Sequence, residues 1–188
     1  MIKEINCYIE ESVNQLQNSK LITNNIKSIV IDNTYFDSKY IEKEDITNST
    51  NDFIKLKDNK NPTLYWYELE SSKNNIAIRK DFENYREETK RHNANYRNTS
   101  SFKKSICQES NVLYVGKVEK GFWGRLVTHL GYNKSVKTAG MQLFHWYDPN
   151  VHGNIKLNYI EFSPEMKHLI IILEKKLAKE LKPLIGRY

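Results

Sequence analysis

The sequence predicts a mixed α+β fold, a small sheet of three strands flanked by helices. Runs rich in β-forming residues stand at TLYWYELE (63–70), NVLYVGKV (111–118) and IKLNYIEF (155–162). Apolar residues recur at helical spacing near both ends of the chain. The mean hydropathy is low, at -0.70. Twelve tyrosines, seven phenylalanines and three tryptophans nevertheless supply the bulk for a core and set the chain apart from disordered sequences. A length of 188 residues suits one compact domain with an appended segment.

Residues 1–20 read as an amphipathic helix, with Ile5, Tyr8, Ile9, Val13 and Leu16 on one face and Asn18-Ser19 as its stop. SIVIDNTYF (28–36) suits a short strand and turn, and TNSTND (47–52) a loop. Asn61-Pro62 then punctuates the chain. This divides it into an accessory segment, 1–60, and a main domain, 61–188, whose residues 71–110 form a charged insert. Within the insert FENYREETKRHNANYR suits a helix, with Glu87 and Arg91 as a favourable pair four apart.

In NVLYVGKV, Gly116 permits a close approach of another group to the backbone. GFWGRLVTHLG (121–131) fits a short helix with Leu126, Val127 and Leu130 inward and Gly131 as its C-cap. A further helix is expected over 138–148, then a turn at Asp148-Pro149-Asn150. After the third strand, Ser163 and Pro164 mark the start of a last helix, which runs to about Lys182 and stops before Pro183.

No stretch of about 18 apolar residues is present, so no membrane span is expected. The N-terminal MIKEINCYIEESVN has acids where a signal peptide needs an apolar run, which points to a cytoplasmic protein. Cys7 and Cys107 are far apart and lack metal-ligand spacing, as expected of two reduced thiols. The net charge of +6 is uneven: residues 1–60 carry 8 lysines against 10 acids, and the remainder carries 21 basic groups against 13 acids. A basic half of this kind suits a polyanionic partner.

Glu174 falls beside Ile170, Leu177, Ala178 and Leu181 on the last helix, at the border of its apolar stripe. An ionised carboxylate there needs a cation, and no lysine or arginine lies three or four residues away to supply one. Arg125 and His129 are four apart on one short helix and point the same way, a fork of donors for a phosphate beside a group able to move a proton. Tyr65 and Tyr114 lie on two of the expected strands, with Lys117 following Gly116. Singly, each has an ordinary reading: a solvated helix face for the pair, core packing for the tyrosines.

Taken together, Pro62-Thr63-Leu64-Tyr65, then Leu113-Tyr114-Val115-Gly116-Lys117, then Arg125 with His129, then Glu174 followed by Pro183, resemble the GIY-YIG nuclease superfamily over residues 62–188. That catalytic module is shared by restriction, homing and excision-repair endonucleases. The resemblance implies a three-stranded antiparallel sheet flanked by helices, here with an N-terminal helical extension and the charged insert in the first hairpin. It implies a metal-dependent endonuclease acting on double-stranded DNA, with Mg²⁺ or Mn²⁺ on Glu174. Arg125 would neutralise charge developing on the phosphate, and Tyr65 would be the general base. Tyr114 and His129 would orient water and phosphate, while Lys117 would lower a tyrosine's pKa. A restriction or defence role fits a small stand-alone enzyme.

Three departures accompany the resemblance: Thr63-Leu64 in place of Gly-Ile, about forty residues between the motif strands, and Gly186 where many members carry an asparagine. The insert offers Lys80, Arg86, Lys90, Arg91, Arg97, Lys103 and Lys104 as a grip on the DNA backbone. A solvated face mixed with Asp81, Glu83, Glu87 and Glu88 is the competing reading. A non-catalytic nucleic-acid-binding module that retains the fold is the alternative for the whole chain. A structural or partner-binding protein is a third reading, supported by the plain composition of 1–60.

Overall fold

A computed structural model describes residues 2–19, 26–42, 51–89, 96–101, 107–134 and 136–186, with the backbone alone at 51–53. Among them the elements run α1 (Ile2–Asn18), β1 (Lys27–Ile31), α2 (Asn51–Lys57), β2 (Thr63–Leu69), α3 (Asn75–Glu88), β3 (Val112–Val118), α4 (Phe122–Leu130), α5 (Pro149–His152), β4 (Ile155–Glu161) and α6 (Ile170–Leu181). The mixed α+β class holds. The sheet, however, has four strands rather than three, all pairs antiparallel, in the order β1-β4-β2-β3. The added strand comes from the segment expected as an accessory: β1 pairs with β4 from Lys27 opposite Tyr159 to Ile31 opposite Ile155.

Alternation along the strands sends side chains to two cores. On one face lie Ile29, Ile31, Tyr65, Tyr67, Leu69, Ile155, Leu157 and Tyr159, packed with Phe122, Leu126, Val127 and Leu130 of α4. Tyr35, Tyr40 and Leu56 from the first sixty residues join the same core, and the Tyr132 hydroxyl donates to the Tyr35 carbonyl at 2.6 Å. On the other face Leu64, Trp66, Val115 and Ile160 meet Met166, Ile170 and Ala178 of the C-terminal helical region. Pairing of β2 with β3 shifts register after Tyr67, so that Leu113 and Tyr114 both turn to the first core and Val112 to the second.

The insert is partly built into this body. α3 buries Ile78, Phe82 and Tyr85, with Phe82 4.9 Å from the Trp146 ring and Tyr85 stacked on His145 at 5.9 Å. Asp81 is bonded to His152 at 2.8 Å. The helix begins earlier than FENYREETKRHNANYR suggests and is capped at Thr89; Arg91, half of the expected Glu87–Arg91 pair, lies outside the described residues.

Two other expectations are corrected. Residues 138–148 do not form a helix: one 3₁₀ turn, Leu143–His145, stands in irregular chain whose entry, Gln142, has φ 58. The chain here is tied instead to its neighbours, with the Met141 amide donating to His129 Nδ1 at 3.3 Å and the Gly140 amide to the Asn98 carbonyl at 3.1 Å. The last helix is broken into a 3₁₀ turn at Pro164–His168 and α6, and the Ser163 side chain makes no capping bond to the turn's backbone. Gly131 does cap α4, at φ 87. α6 ends on Lys182, at φ 50, directly before Pro183. Among the described residues no helix is long and apolar enough to cross a membrane, and Cys7 and Cys107 are free thiols.

Candidate active site

Tyr65 and Gly116 are directly opposed across β2 and β3, with Tyr114 two residues along the same face. A Cβ at position 116 would lie 2.5 Å from the Tyr65 hydroxyl and 2.6 Å from the Tyr114 ring. Glycine is therefore required because the two phenols occupy its side-chain space. The rings stack with centroids 6.1 Å apart, and the Tyr114 ring lies 4.6 Å from the His129 imidazole. Tyr65 is wholly buried, whereas Tyr114 is half-buried.

From the helix α4 above, Arg125 and His129 descend onto this pair. His129 Nε2 is 2.9 Å from the Tyr65 hydroxyl oxygen, and Arg125 Nε is 3.5 Å from it. The Met141 amide donates to His129 Nδ1 at 3.3 Å, and Arg125 Nη2 lies 3.1 Å from His129 Nε2, so both ring nitrogens are engaged. The Tyr65 oxygen thus accepts from the guanidinium and shares a hydrogen bond with the imidazole. Arg125 Nη1 also donates to the Ala139 carbonyl at 3.1 Å, so the irregular 139–141 segment holds both helix residues in place.

Burial and charge set the protonation states. Burial pushes the Tyr65 phenol well above its ordinary pKa; the Tyr114 phenol adds to this, and Arg125 opposes it. Burial, reinforced by the Arg125 charge, holds His129 well below the ordinary histidine value, so the ring is neutral. For Arg125, burial works against the charge, but Tyr65 and the neighbouring phenols outweigh it and keep the guanidinium protonated.

Glu174 stands on α6, across the sheet from α4, within electrostatic range of Tyr65 and Arg125. β3 is an edge strand, and its outer side is covered in part by the chain's end, where the Leu184 and Ile185 amides donate to the Val112 and Leu113 carbonyls. Further along that edge, the Glu174 carboxylate accepts from the Lys117 amide. It is half-buried, and burial raises its pKa against the opposing pull of Lys117 and Arg125. Tyr65 in turn feels the Glu174 charge. Residues 65, 114, 125 and 129 thus pack together, with the Glu174 charge within electrostatic range of Tyr65 and Arg125.

Lys117 takes a different place from the one expected. Its ammonium binds Glu119 at 3.1 Å, and the carboxyls it influences are Glu119 and Glu174. The cation beside Tyr65 is Arg125, and the phenol expected to be brought down is instead held up by burial. Gly186 has φ 127, a backbone region that disfavours any side chain, and its amide donates to the Ser101 carbonyl at 2.8 Å.

Of the insert cations, Lys80 and Arg86 are exposed, the latter over the Phe82 ring. Arg97 is mostly buried and ion-paired with Glu42 at 2.5 Å, so its charge is already matched. Lys90, Arg91, Lys103 and Lys104 lie outside the described residues.

Sequence reasoning missed Tyr67, a third phenol on the same face. It is wholly buried, its ring is 5.5 Å from His129, and its hydroxyl has no hydrogen-bond partner. The Tyr65-x-Tyr67 alternation was the available signal. It also missed the Ala139 carbonyl and Met141 amide, which no residue type announces.

Among the described residues no three His, Cys, Asp or Glu side chains gather as a metal cage. One half-buried carboxylate fits a different arrangement, a hard divalent ion that keeps most of its waters and takes its remaining oxygen from substrate. No family model, no curated protein and no solved structure matches this chain.

Proposed function

We propose that the chain is a GIY-YIG-type endonuclease that hydrolyses phosphodiester bonds of double-stranded DNA with one Mg²⁺ or Mn²⁺. The observation that carries the reading is the convergence of Tyr65, Arg125 and His129 in one hydrogen-bonded group, with Tyr114 stacked on it and the Glu174 charge felt at it. Residues 60 and more apart in sequence meet at the end of a sheet whose two middle-motif strands run antiparallel, as that family's module requires.

Glu174 would hold the ion, which when bound polarises the phosphate and stabilises the leaving oxygen. The protein's own groups supply the rest. Arg125 is half-buried and permanently charged, so its remaining donors meet the phosphate in a low-dielectric setting. His129 is neutral and both ring nitrogens are engaged, Nδ1 by the Met141 amide and Nε2 by Tyr65 and Arg125; it positions rather than carries a proton. A general base must lie within hydrogen-bond reach of the attacking water. Tyr114 has surface to offer that water and Tyr65 has none. We therefore assign proton removal to Tyr114, and to Tyr65 the task of fixing Arg125 and His129, which reverses the ranking expected from sequence.

The test is incubation of supercoiled plasmid with Mg²⁺, wild type against Glu174→Ala. The expected result is nicking or linearisation by wild type alone. Equal cutting by both would move the site elsewhere. Failure of both across linear, supercoiled and branched DNA, with Mn²⁺ as well, would leave the non-catalytic binding module as the reading. A restriction or defence role remains part of the proposal.

A further inference from the structure

Beside Tyr114 the surface opens into a cleft of about 330 Å³ lined by Asn98, Thr99, Ser100, Ser101, Ala139 and Gly186. One wall is a short piece of the insert that is fixed by backbone bonds on both sides. The Ser100 amide donates to the Gly140 carbonyl at 2.9 Å and the Gly140 amide to the Asn98 carbonyl at 3.1 Å. Beyond Ser100, the Ser101 carbonyl takes the Gly186 amide. Gly140 is constrained in its turn, since a Cβ there would stand 2.5 Å from the Thr128 carbonyl oxygen of α4. The wall is thus a built part of the body, clamped between the helix that carries Arg125 and the chain's end.

Resting on the nuclease reading, we infer that this cleft seats the nucleoside next to the scissile phosphate, and that Asn98 and Thr99 read its base. Three observations point there. The cleft is continuous with the reacting groups, because Tyr114 lines it and Ala139, which also lines it, holds Arg125 through its carbonyl. Its size is at the lower end of pockets that enclose a small ligand, about 300 Å³ and upward, and suits one nucleoside. Among the described residues its lining is polar but uncharged: amide, hydroxyls, a phenol and backbone. A second phosphate would call for a cation. Base edges call for donors, acceptors and an aromatic surface, which the cleft supplies through the Asn98 side-chain oxygen, the Thr99 hydroxyl and the Tyr114 ring, the Asn98 Nδ2 group being bonded to the Lys137 carbonyl at 3.2 Å. Gly186 contributes by absence of a side chain, leaving the floor open. The insert's part in DNA recognition is then this neutral wall, a role its cations did not suggest.

The test uses full-length protein and a pool of DNA duplexes randomised at the positions flanking the cut, with Mg²⁺. Thr99→Ala removes one reading hydroxyl and leaves the backbone bonds of the wall intact; Asn98→Ala is the second variant should the first fold poorly, with thermal midpoints recorded for both. The expected result is that wild type shows a base preference at a position adjoining the cut, and that the variants relax it at that position alone by roughly 5-fold or more, the range of one mismatched base pair. A wild type that cuts without preference beside the scissile bond, or variants that keep the wild-type profile, would overturn the subsite and leave the nuclease standing. If wild type cuts no better than Glu174→Ala, the nuclease reading falls and the subsite falls with it.

Discussion

The two faces of the sheet are made by alternate residues of the same strands, yet they are built to different ends. Leu64, Trp66 and Val115 turn toward α6 and make an aliphatic core against Ile160, Met166 and Ile170. Tyr65, Tyr67 and Tyr114 turn toward α4 and carry hydroxyls, an imidazole and a guanidinium into a buried space. The first face shields apolar surface and leaves one buried group there, Asn158 Nδ2, without a partner. The second leaves the Tyr67 hydroxyl without a partner, and nearby Gln142 is wholly buried, has neither amide atom bonded and sits at φ 58. Uncompensated polar burial and backbone strain lower stability and are tolerated where a site needs them. One face therefore stabilises the fold, and the other holds the proposed reacting groups at a cost to it.

If that division is right, variants on the two faces separate activity from stability. The largest effect belongs to Arg125→Ala, which should lower the rate of plasmid cleavage by about 100- to 1000-fold in a gel assay, the usual loss of a charge-stabilising donor. On the opposite face, Ile170→Ala should lower unfolding free energy by roughly 2–5 kcal/mol in urea titration, with cleavage per folded molecule kept within a few-fold. Gly116→Ala links the two: its methyl meets the Tyr65 hydroxyl at 2.5 Å, so both properties should suffer, with about 1–3 kcal/mol lost in the same titration. Cleavage retained in Gly116→Ala would mean that the phenol's position is immaterial.

Smaller effects sharpen the comparison. His129 has a depressed pKa in the folded protein, so its contribution is present above the ordinary histidine value of about 6.5 and is lost as pH falls below it. Thermal midpoints of wild type should drop between pH 7 and pH 5 more steeply than those of His129→Gln; equal slopes would contradict a buried neutral ring. Tyr67→Phe removes a partnerless hydroxyl and should change stability by less than about 1 kcal/mol, in the stabilising direction. A loss larger than that would show that the hydroxyl is satisfied in solution.

Much of this was legible in the chain. β2, β3 and β4 stand out by residue type, Gly131 announces the end of α4, and the i,i+4 pairing of Arg125 with His129 places both on one helix face. Glu174 betrayed itself as an acid on an apolar stripe. What could not be read depends on long-range pairing. Strand β1 is short, and its place beside β4 is set by contacts more than a hundred residues away. Residues 138–148 have helical composition, but backbone bonds to His129 and to residues 98–100 win over local propensity. Tyr65 and Tyr114 look alike in sequence; only the depth of the sheet edge separates a buried phenol from one open to the cleft. Charge counting on the insert likewise gave no hint that Arg97 is matched by Glu42.

Glu174 offers the most direct trial of the whole account, because its half-buried charge should hinder folding while it serves the reaction. Its folded pKa is raised by burial, so the stability it contributes is present below the ordinary carboxylate range and lost as pH rises through the folded value. At pH 7 without metal, Glu174→Gln should therefore melt at or above wild type, while Mg²⁺-dependent cleavage falls by at least about 100-fold. Glu174→Gln that still cuts within a few-fold of wild type would contradict the claim that this carboxylate and the Tyr65–Arg125–His129 group form one active site.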